Sequence, residues 1–422
     1  RWFSAYNVLQ IDLVSDNKNE QEFFDSINAK GVPLSTSAQI KNYLSKTAIR
    51  PEDKQIVYED WKELEKVSNQ VDYGTTNILL AYYRSRYPST GPAKLYEHVS
   101  GKVWTFDQTK EFLVGLKVAI KTISTLEKRQ EAAIEEFYLN TSTRSKSIGA
   151  YLKAVRRTSF KMHYPFMIAL KQKMIDNPSF VTKKALEKIA ILIYKAAHVS
   201  ELAIKGDKQA SAFRKAALSV RDEKVKNTRG NSVDADLIKV YESLRKDLLK
   251  EWPSDTSLHE HISDLRYRKN AEPTRRKIRN TFLLLEESKF ETLEWADSII
   301  LLSSLDIEHI NALKGDSAFS SATRWTKTRR DDWKSVKNSS LINRLGNLTI
   351  LNFKLNKRIG NSSPYYKFHH DDFVGHRALK INKKLIKNKA RWNAAKVNDR
   401  TEEIAAELVS YLSRSSLMEI TS

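Results

Sequence analysis

A chain of 422 residues, 41% of them hydrophobic, is long enough for two or three domains with their own cores and has a globular composition, not a disordered one. Twelve glycines and nine prolines leave few tight turns, which favours long helices and argues against a β-sandwich or barrel, and the lack of cysteine excludes disulfides and thiolate metal sites. With 72 basic against 51 acidic residues the net charge is +21, which points to a polyanionic partner, because neutralising phosphates releases condensed counterions. A lysine-rich solvated surface is the competing reading. No apolar run reaches 18 residues and no signal-peptide core opens the chain, so a soluble, intracellular protein without membrane contact is expected. The first residue, Arg1, is not Met, which suggests a fragment or processed form of a longer protein.

In residues 1–50 the segment FFDSINAKGVPLSTSAQIKNYL predicts a helix–turn–helix hairpin, with the turn at Gly31 and Pro33. Ser35 or Thr36 caps a helix through Ala38, Ile40, Tyr43 and Leu44. Residues 51–274 read as successive amphipathic helices. Leu186, Ile189, Ala190, Ile193 and Ala197 form one apolar face, and Leu237, Val240, Tyr241, Leu244 and Leu248 form another. Thr141–Ser147 and Lys205–Gln209 read as loops, and Lys224–Asp234 as a mobile one. From about residue 275 the character changes. The basic RRKIRN leads into a helix at Thr281–Glu287, followed by an apolar approach, Ile299–Leu305, to Asp306–Ile310. Leu348–Leu351 is the other convincing strand, and a last helix, Glu402–Leu412, carries a capping-box spacing at Asp399 and Glu402.

Two short strands inside a helical protein mark a candidate site. Asp306-Ile-Glu-His309 is followed by Arg344-Leu-Gly-Asn347 and then by Asn352-Phe-Lys-Leu-Asn356. Cleaving a phosphodiester requires a base to activate water and a cation to stabilise charge on the phosphate and leaving oxygen. A histidine at a strand end suits the base, and an asparagine in the turn after Gly346 suits holding that histidine or its loop. The amide oxygen of Asn356 is a hard ligand suited to Mg²⁺ or Mn²⁺, with Glu308 as an adjacent carboxylate. Spacing alone leaves a satisfied polar turn as the alternative.

The ordered series RNTFLLLEE, LDIEHI, RLGNLTILNFKLNKRIGN and LKINKKLIKNKARWNAAKVNDRTEEIAAEL, over about residues 275–412, resembles the GmrSD family of modification-dependent restriction enzymes. These join an amino-terminal ParB-like nucleotidase to a carboxy-terminal HNH nuclease. The resemblance implies a mainly α protein with a helical domain (51–274) and a carboxy-terminal HNH, or ββα-metal, nuclease domain (275–422). It implies His309 as general base, Asn347 as central asparagine, Asn356 as the last member of the triad, and Glu308 at a metal-binding acid position. It also implies a bacterial, cytoplasmic effector of restriction or anti-phage defence that nicks or cuts DNA, modified phage DNA included. One departure is Ala312, where the family usually has proline. Phe24, Asn28, Gly31 and Leu34 resemble the closing segment of the nucleotidase (1–50). That domain's Asp-Gly-Gln-Gln-Arg-like motif is absent, so no nucleotide hydrolysis is assigned, and an upstream nucleotidase domain or subunit is the implied partner. The oligomeric state stays open. The competing function is a DNA-binding or regulatory scaffold with a degenerate HNH site.

Arg324, Lys327, Arg329, Arg330, Lys334 and Lys337, interleaved with Trp325 and Trp333, read as a DNA-backbone clamp, with a solvated loop as the alternative; the tryptophans read as anchors to the core. Arg344, Lys354, Lys357 and Arg358, which flank the two asparagines, join the DNA-binding set. A second run, from Arg377 to Arg391, reads equally as backbone contact or as an exposed charged face. His369, His370 and His376 lack a fourth partner for zinc.

Overall fold

The structure is a computed structural model that describes residues 34–71, 73–88, 91–102, 104–127, 133–134, 137–138, 146–204, 206–226, 232–234, 236–290, 305–313, 325–370, 379–386 and 391–418. The protein is mainly α-helical. Residues 1–80 and 90–117 make one compact unit; residues 81–89 and 118–422 make the other.

The first unit holds α1 (Thr36–Ser45), α2 (Pro51–Val71), the first half of α3 (Thr75–Arg86), the short α4 (Leu95–Ser100) and the first half of α5 (Phe106–Glu127). Ser35 is the N-cap of α1, its hydroxyl accepting from the Ala38 N–H at 3.3 Å, and Ile40 and Leu44 are buried as the periodicity predicts. Of the four nucleotidase-like residues only Leu34 is described; Phe24, Asn28 and Gly31 lie outside the described residues.

In the second unit α6 (Lys146–Val155), α7 (Tyr164–Asp176), α8 (Lys183–Leu202) and α9 (Ala210–Asp222) come first. Thr182 caps α8, whose apolar positions Leu186, Ile189, Ala190, Ile193 and Ala197 are all fully buried. A small hairpin follows, β1 (Lys224–Lys226) antiparallel to β2 (Ser232–Asp234), where the sequence suggests only a loop; the residues between the strands are outside the described set. Next come α10 (Leu237–Lys250), α11 (Asp255–Ser263) and α12 (Glu272–Glu287). Helix α12 begins well before Thr281, because Pro273 sits in its first turn, where a missing N–H costs nothing. The basic RRKIRN is therefore helical.

The strand β3 (Leu305–His309) precedes α13 (Lys327–Asn338) and pairs antiparallel with β4 (Leu348–Asn352). The register sets Leu305 opposite Asn352 and His309 opposite Leu348. The chain then runs through α14 (Phe353–Ile359), α15 (Pro364–Phe368), α16 (Lys380–Ile386), α17 (Ala394–Leu412) and α18 (Arg414–Met418). The last long helix starts at Ala394, not Glu402: Asn393 caps it by accepting from the Lys396 N–H, so Asp399 and Glu402 are helix-interior residues and form no capping box. Ile310, Val336, Leu351, Ile359, Phe368, Trp392 and Val397 form the core beneath the β3–β4 pair. Among the described residues no helix is long and apolar enough to cross a membrane.

Candidate active site

β3 presents its chemistry at its half-buried second residue, Asp306, and at its buried end. His309, 8% exposed, is the last strand residue. Its Nε2 lies 3.0 Å from Oδ1 of Asn343, and the ring of Tyr267 meets it edge-on with centroids 5.0 Å apart. With the Asn343 oxygen as acceptor, Nε2 carries the proton and Nδ1 keeps its lone pair. Burial pushes the imidazole pKa down to about 4, reinforced by the nearby Lys367 ammonium and opposed by the Asn343 contact and Asp306. The ring is thus neutral at pH 7. Tyr267 also donates its N–H to the Asn343 carbonyl at 2.9 Å, so one short segment holds both the ring and its partner.

Asn347 is fully buried and its amide is fully used. Oδ1 accepts from the Asn311 N–H at 2.9 Å and from Trp392 Nε1 at 3.3 Å, while Nδ2 donates to the carbonyls of Ile342 at 2.8 Å and Asn311 at 3.1 Å. Its own carbonyl accepts from the Ile310 N–H at 2.8 Å. Asn347 therefore bolts the chain after His309 to the turn before β4. Gly346 precedes it because nothing larger fits: a Cβ there would lie 1.9 Å from the Val397 carbonyl oxygen of α17. The buried Arg400 completes this clamp, donating to the carbonyls of Gly346 at 2.8 Å and Leu348 at 2.6 Å.

Asn356, half-buried on α14, donates from Nδ2 to Oδ2 of Asp306 at 3.1 Å. The carboxylate brought to Asn356 is thus Asp306. Glu308 is instead buried, its carboxylate hydrogen-bonded by the ammonium of Lys367, which is 1% exposed and also donates to the His309 carbonyl at 2.6 Å. Burial raises the Glu308 pKa, and the Lys367 ammonium opposes that rise. A strand rises about 3.3 Å per residue, so the backbones of Asp306 and His309 stand roughly 10 Å apart.

Asn343, Lys367 and the role of Asp306 escape a reading of the sequence alone. Asp306 had a usable signal, since it shares a strand face with Glu308 at a spacing of two. Asn343 and Lys367 carry none, being joined to the site only by folding.

The cations divide into two groups. Lys327, Arg330 and Lys334 on α13 and Lys354, Lys357 and Arg358 on α14 are exposed or half-buried at the surface. Arg344 turns to α17, donating to Asn398 at 3.1 Å and pairing with Glu402 at 3.5 Å, and Arg329 lies 4.0 Å over the Tyr365 ring. Arg324 is outside the described residues. The tryptophans anchor as expected: Trp325 Nε1 donates to the Asn361 carbonyl and Trp333 Nε1 to that of Ala312. Ala312, at the proline position, is buried with those two rings. In the second run Lys384 pairs with Glu407 and Arg391 with Asp332, while Arg377 is outside the described residues.

Among the described residues no three His, Cys, Asp or Glu side chains gather as a metal cluster. A hard cation that keeps waters and takes one carboxylate with one amide still suits the Asp306–Asn356 pair. Residues 252–407 match the family model described as GmrSD restriction endonucleases, C-terminal domain. This part of the chain is therefore similar to the C-terminal domain of GmrSD restriction endonucleases. Among curated proteins no sequence matches the chain.

Proposed function

We propose that residues 275–422 form an HNH-type, ββα-metal nuclease that hydrolyses DNA phosphodiester bonds with Mg²⁺ or Mn²⁺. The observation that carries this reading is the neutral, tautomer-fixed imidazole of His309 at the end of β3, on the same strand as the Asp306 that pairs with Asn356. His309 Nδ1 takes the proton of the attacking water. Asn343 and Tyr267 hold the ring; Asn347 and Lys367 hold the backbone beside it. Asp306 and Asn356 would hold the cation, whose chemistry is to stabilise charge on the phosphate and the leaving oxygen. Glu308, the carboxylate expected there from the sequence, is ion-paired through Oε1 with Lys367. The surface lysines and arginines of α13 and α14 supply sequence-independent phosphate contact. The biological setting is restriction or anti-phage defence in a bacterial cytoplasm, with modified phage DNA as a target and an upstream nucleotidase domain or subunit as partner.

The test is plasmid nicking in Mg²⁺ or Mn²⁺. The chain should nick supercoiled DNA, EDTA should stop it, and His309→Ala should lose the activity while retaining DNA binding. Undiminished nicking by His309→Ala defeats the assignment. A second reading, a DNA-binding scaffold with a degenerate site, is favoured by one observation: the Glu308 carboxylate is already neutralised by Lys367. DNA binding without cleavage in any metal supports it.

A further inference from the structure

Helix α14 carries Asn356 and, one turn before it, the one exposed phenylalanine among the described residues: Phe353, 57% exposed. Single apolar side chains scattered over a surface are ordinary. Phe353 is set apart by where it stands. At about 3.6 residues per turn it lies roughly 60° round the helix from Asn356, with Cβ atoms about 5–6 Å apart. Lys357 follows one turn on along the same face, and Lys354 and Lys357 are both exposed. Leu355 and Ile359 take the opposite face, Ile359 buried in the core beneath the strands and Leu355 packed against it.

Asn356 is the edge between the two faces: half-buried, it donates to Asp306 Oδ2 at 3.1 Å. The ring of Phe353 is thus the exposed group beside the Asp306–Asn356 pair, on a surface whose other α14 side chains are Lys354, Lys357 and Arg358. Phosphates of one strand are about 3.4 Å apart along the duplex axis, so Phe353 lies within about two nucleotides of a phosphate at that pair. Lysines answer to phosphates, whereas an exposed ring answers to the planar faces of bases. An apolar side chain pushed into a base step unstacks it and kinks the duplex.

We propose that Phe353 wedges into the DNA base step beside the phosphate being cut, and so sets where the chain cuts. The cut itself rests on the nuclease reading; the wedge needs only DNA docked on α14. Unstacking costs least at the pyrimidine–purine steps TA and CA/TG, which are flexible and easily kinked. Cuts therefore concentrate at those steps without a hydrogen bond to any base edge. The chain reads deformability through one ring, while Lys354 and Lys357 hold the flanking backbone.

The experiment uses the full chain carrying His309→Ala, in Mg²⁺, and a short duplex whose strands each run pyrimidines then purines, leaving a single central TA step. The adenine of that step is replaced by 2-aminopurine, whose emission rises when the base unstacks. Binding should raise the emission. Adding Phe353→Ala should hold it at the free-duplex level even at saturation, and since Phe353 is exposed the replacement should spare the fold. Adding Lys354→Ala instead should weaken binding and keep the rise at saturation. No rise with Phe353 in place, or the same rise after Phe353→Ala, overturns the proposal. Mapping single nicks separates the two ideas. Phe353→Ala should cut at TA and CA/TG steps about tenfold more slowly, and Phe353→Trp should retain the bias. A rise without nicking in any metal sinks only the nuclease reading; nicking whose rate and sites ignore Phe353→Ala sinks only the wedge.

Discussion

Helix α8 and the β3–β4 pair are both buried, yet they are held by different physics. α8 is fixed by an apolar face in which Leu186, Ile189, Ala190 and Ile193 exclude water completely. Around β3 and β4 an apolar core is joined by polar fixing groups from distant segments: Asn347 on Asn311 and Trp392, Arg400 on Gly346 and Leu348, Lys367 on Glu308 and His309. Apolar burial tolerates replacement by volume, whereas a buried polar group left without its partner carries the full desolvation penalty. The polar contacts that fix the β3–β4 region are thus also its weak points.

The largest effect that would break this contrast is at Asn347. Replacing it with Ala strands the Asn311 N–H and the Ile342 carbonyl in a buried site, and about 3–5 kcal/mol of stability should be lost. By comparison Ile189→Val in α8 should cost about 1 kcal/mol. Denaturant titration of both variants checks the difference, and equal losses would remove the distinction.

Acid sharpens it further. Burial depresses the pKa of His163 to about 3 and of His309 to about 4, and that of His198 well below its ordinary value of 6.5. Between those values and 6.5 the unfolded chain binds more protons than the folded one, so stability is complete above about pH 6.5 and is lost as pH falls toward 4. His163 and His309 should each account for about 1–2 kcal/mol between pH 7 and pH 5. His163 stacks on Phe160 and its Nδ1 has no partner, so His163→Phe should flatten part of the slope. A plot of thermal midpoint against pH that keeps its full slope in that variant counts against burial as the cause.

A smaller effect is expected at the surface. Lys327→Ala, Arg330→Ala and Lys334→Ala should each weaken DNA binding modestly and lower the slope of log K against log salt by about one for each phosphate no longer neutralised. Arg344→Ala should leave that slope unchanged, because its guanidinium is turned to Asn398 and Glu402.

What was legible in the sequence follows the same division. The apolar period of α8 and α10, the Ser35 cap and both strands of the site are local patterns, and they sit where the residues predict. Local patterns also misled. RRKIRN is helical because Pro273 opens α12, and Asp399 with Glu402 has a capping spacing without a helix start. Asn343 and Lys367 reach His309 from 34 and 58 residues away, a closure no periodicity encodes. The Gly346 requirement comes from the close approach of α17, not from its own turn.

Chemical rescue of the strand-end imidazole tests the central claim most directly. In His309→Gly, single-turnover nicking in Mg²⁺ should fall by about 10²–10⁴-fold and should recover in proportion to added imidazole, which restores the missing base. A His309→Gly chain that nicks at the unmodified rate, with or without imidazole, would contradict it.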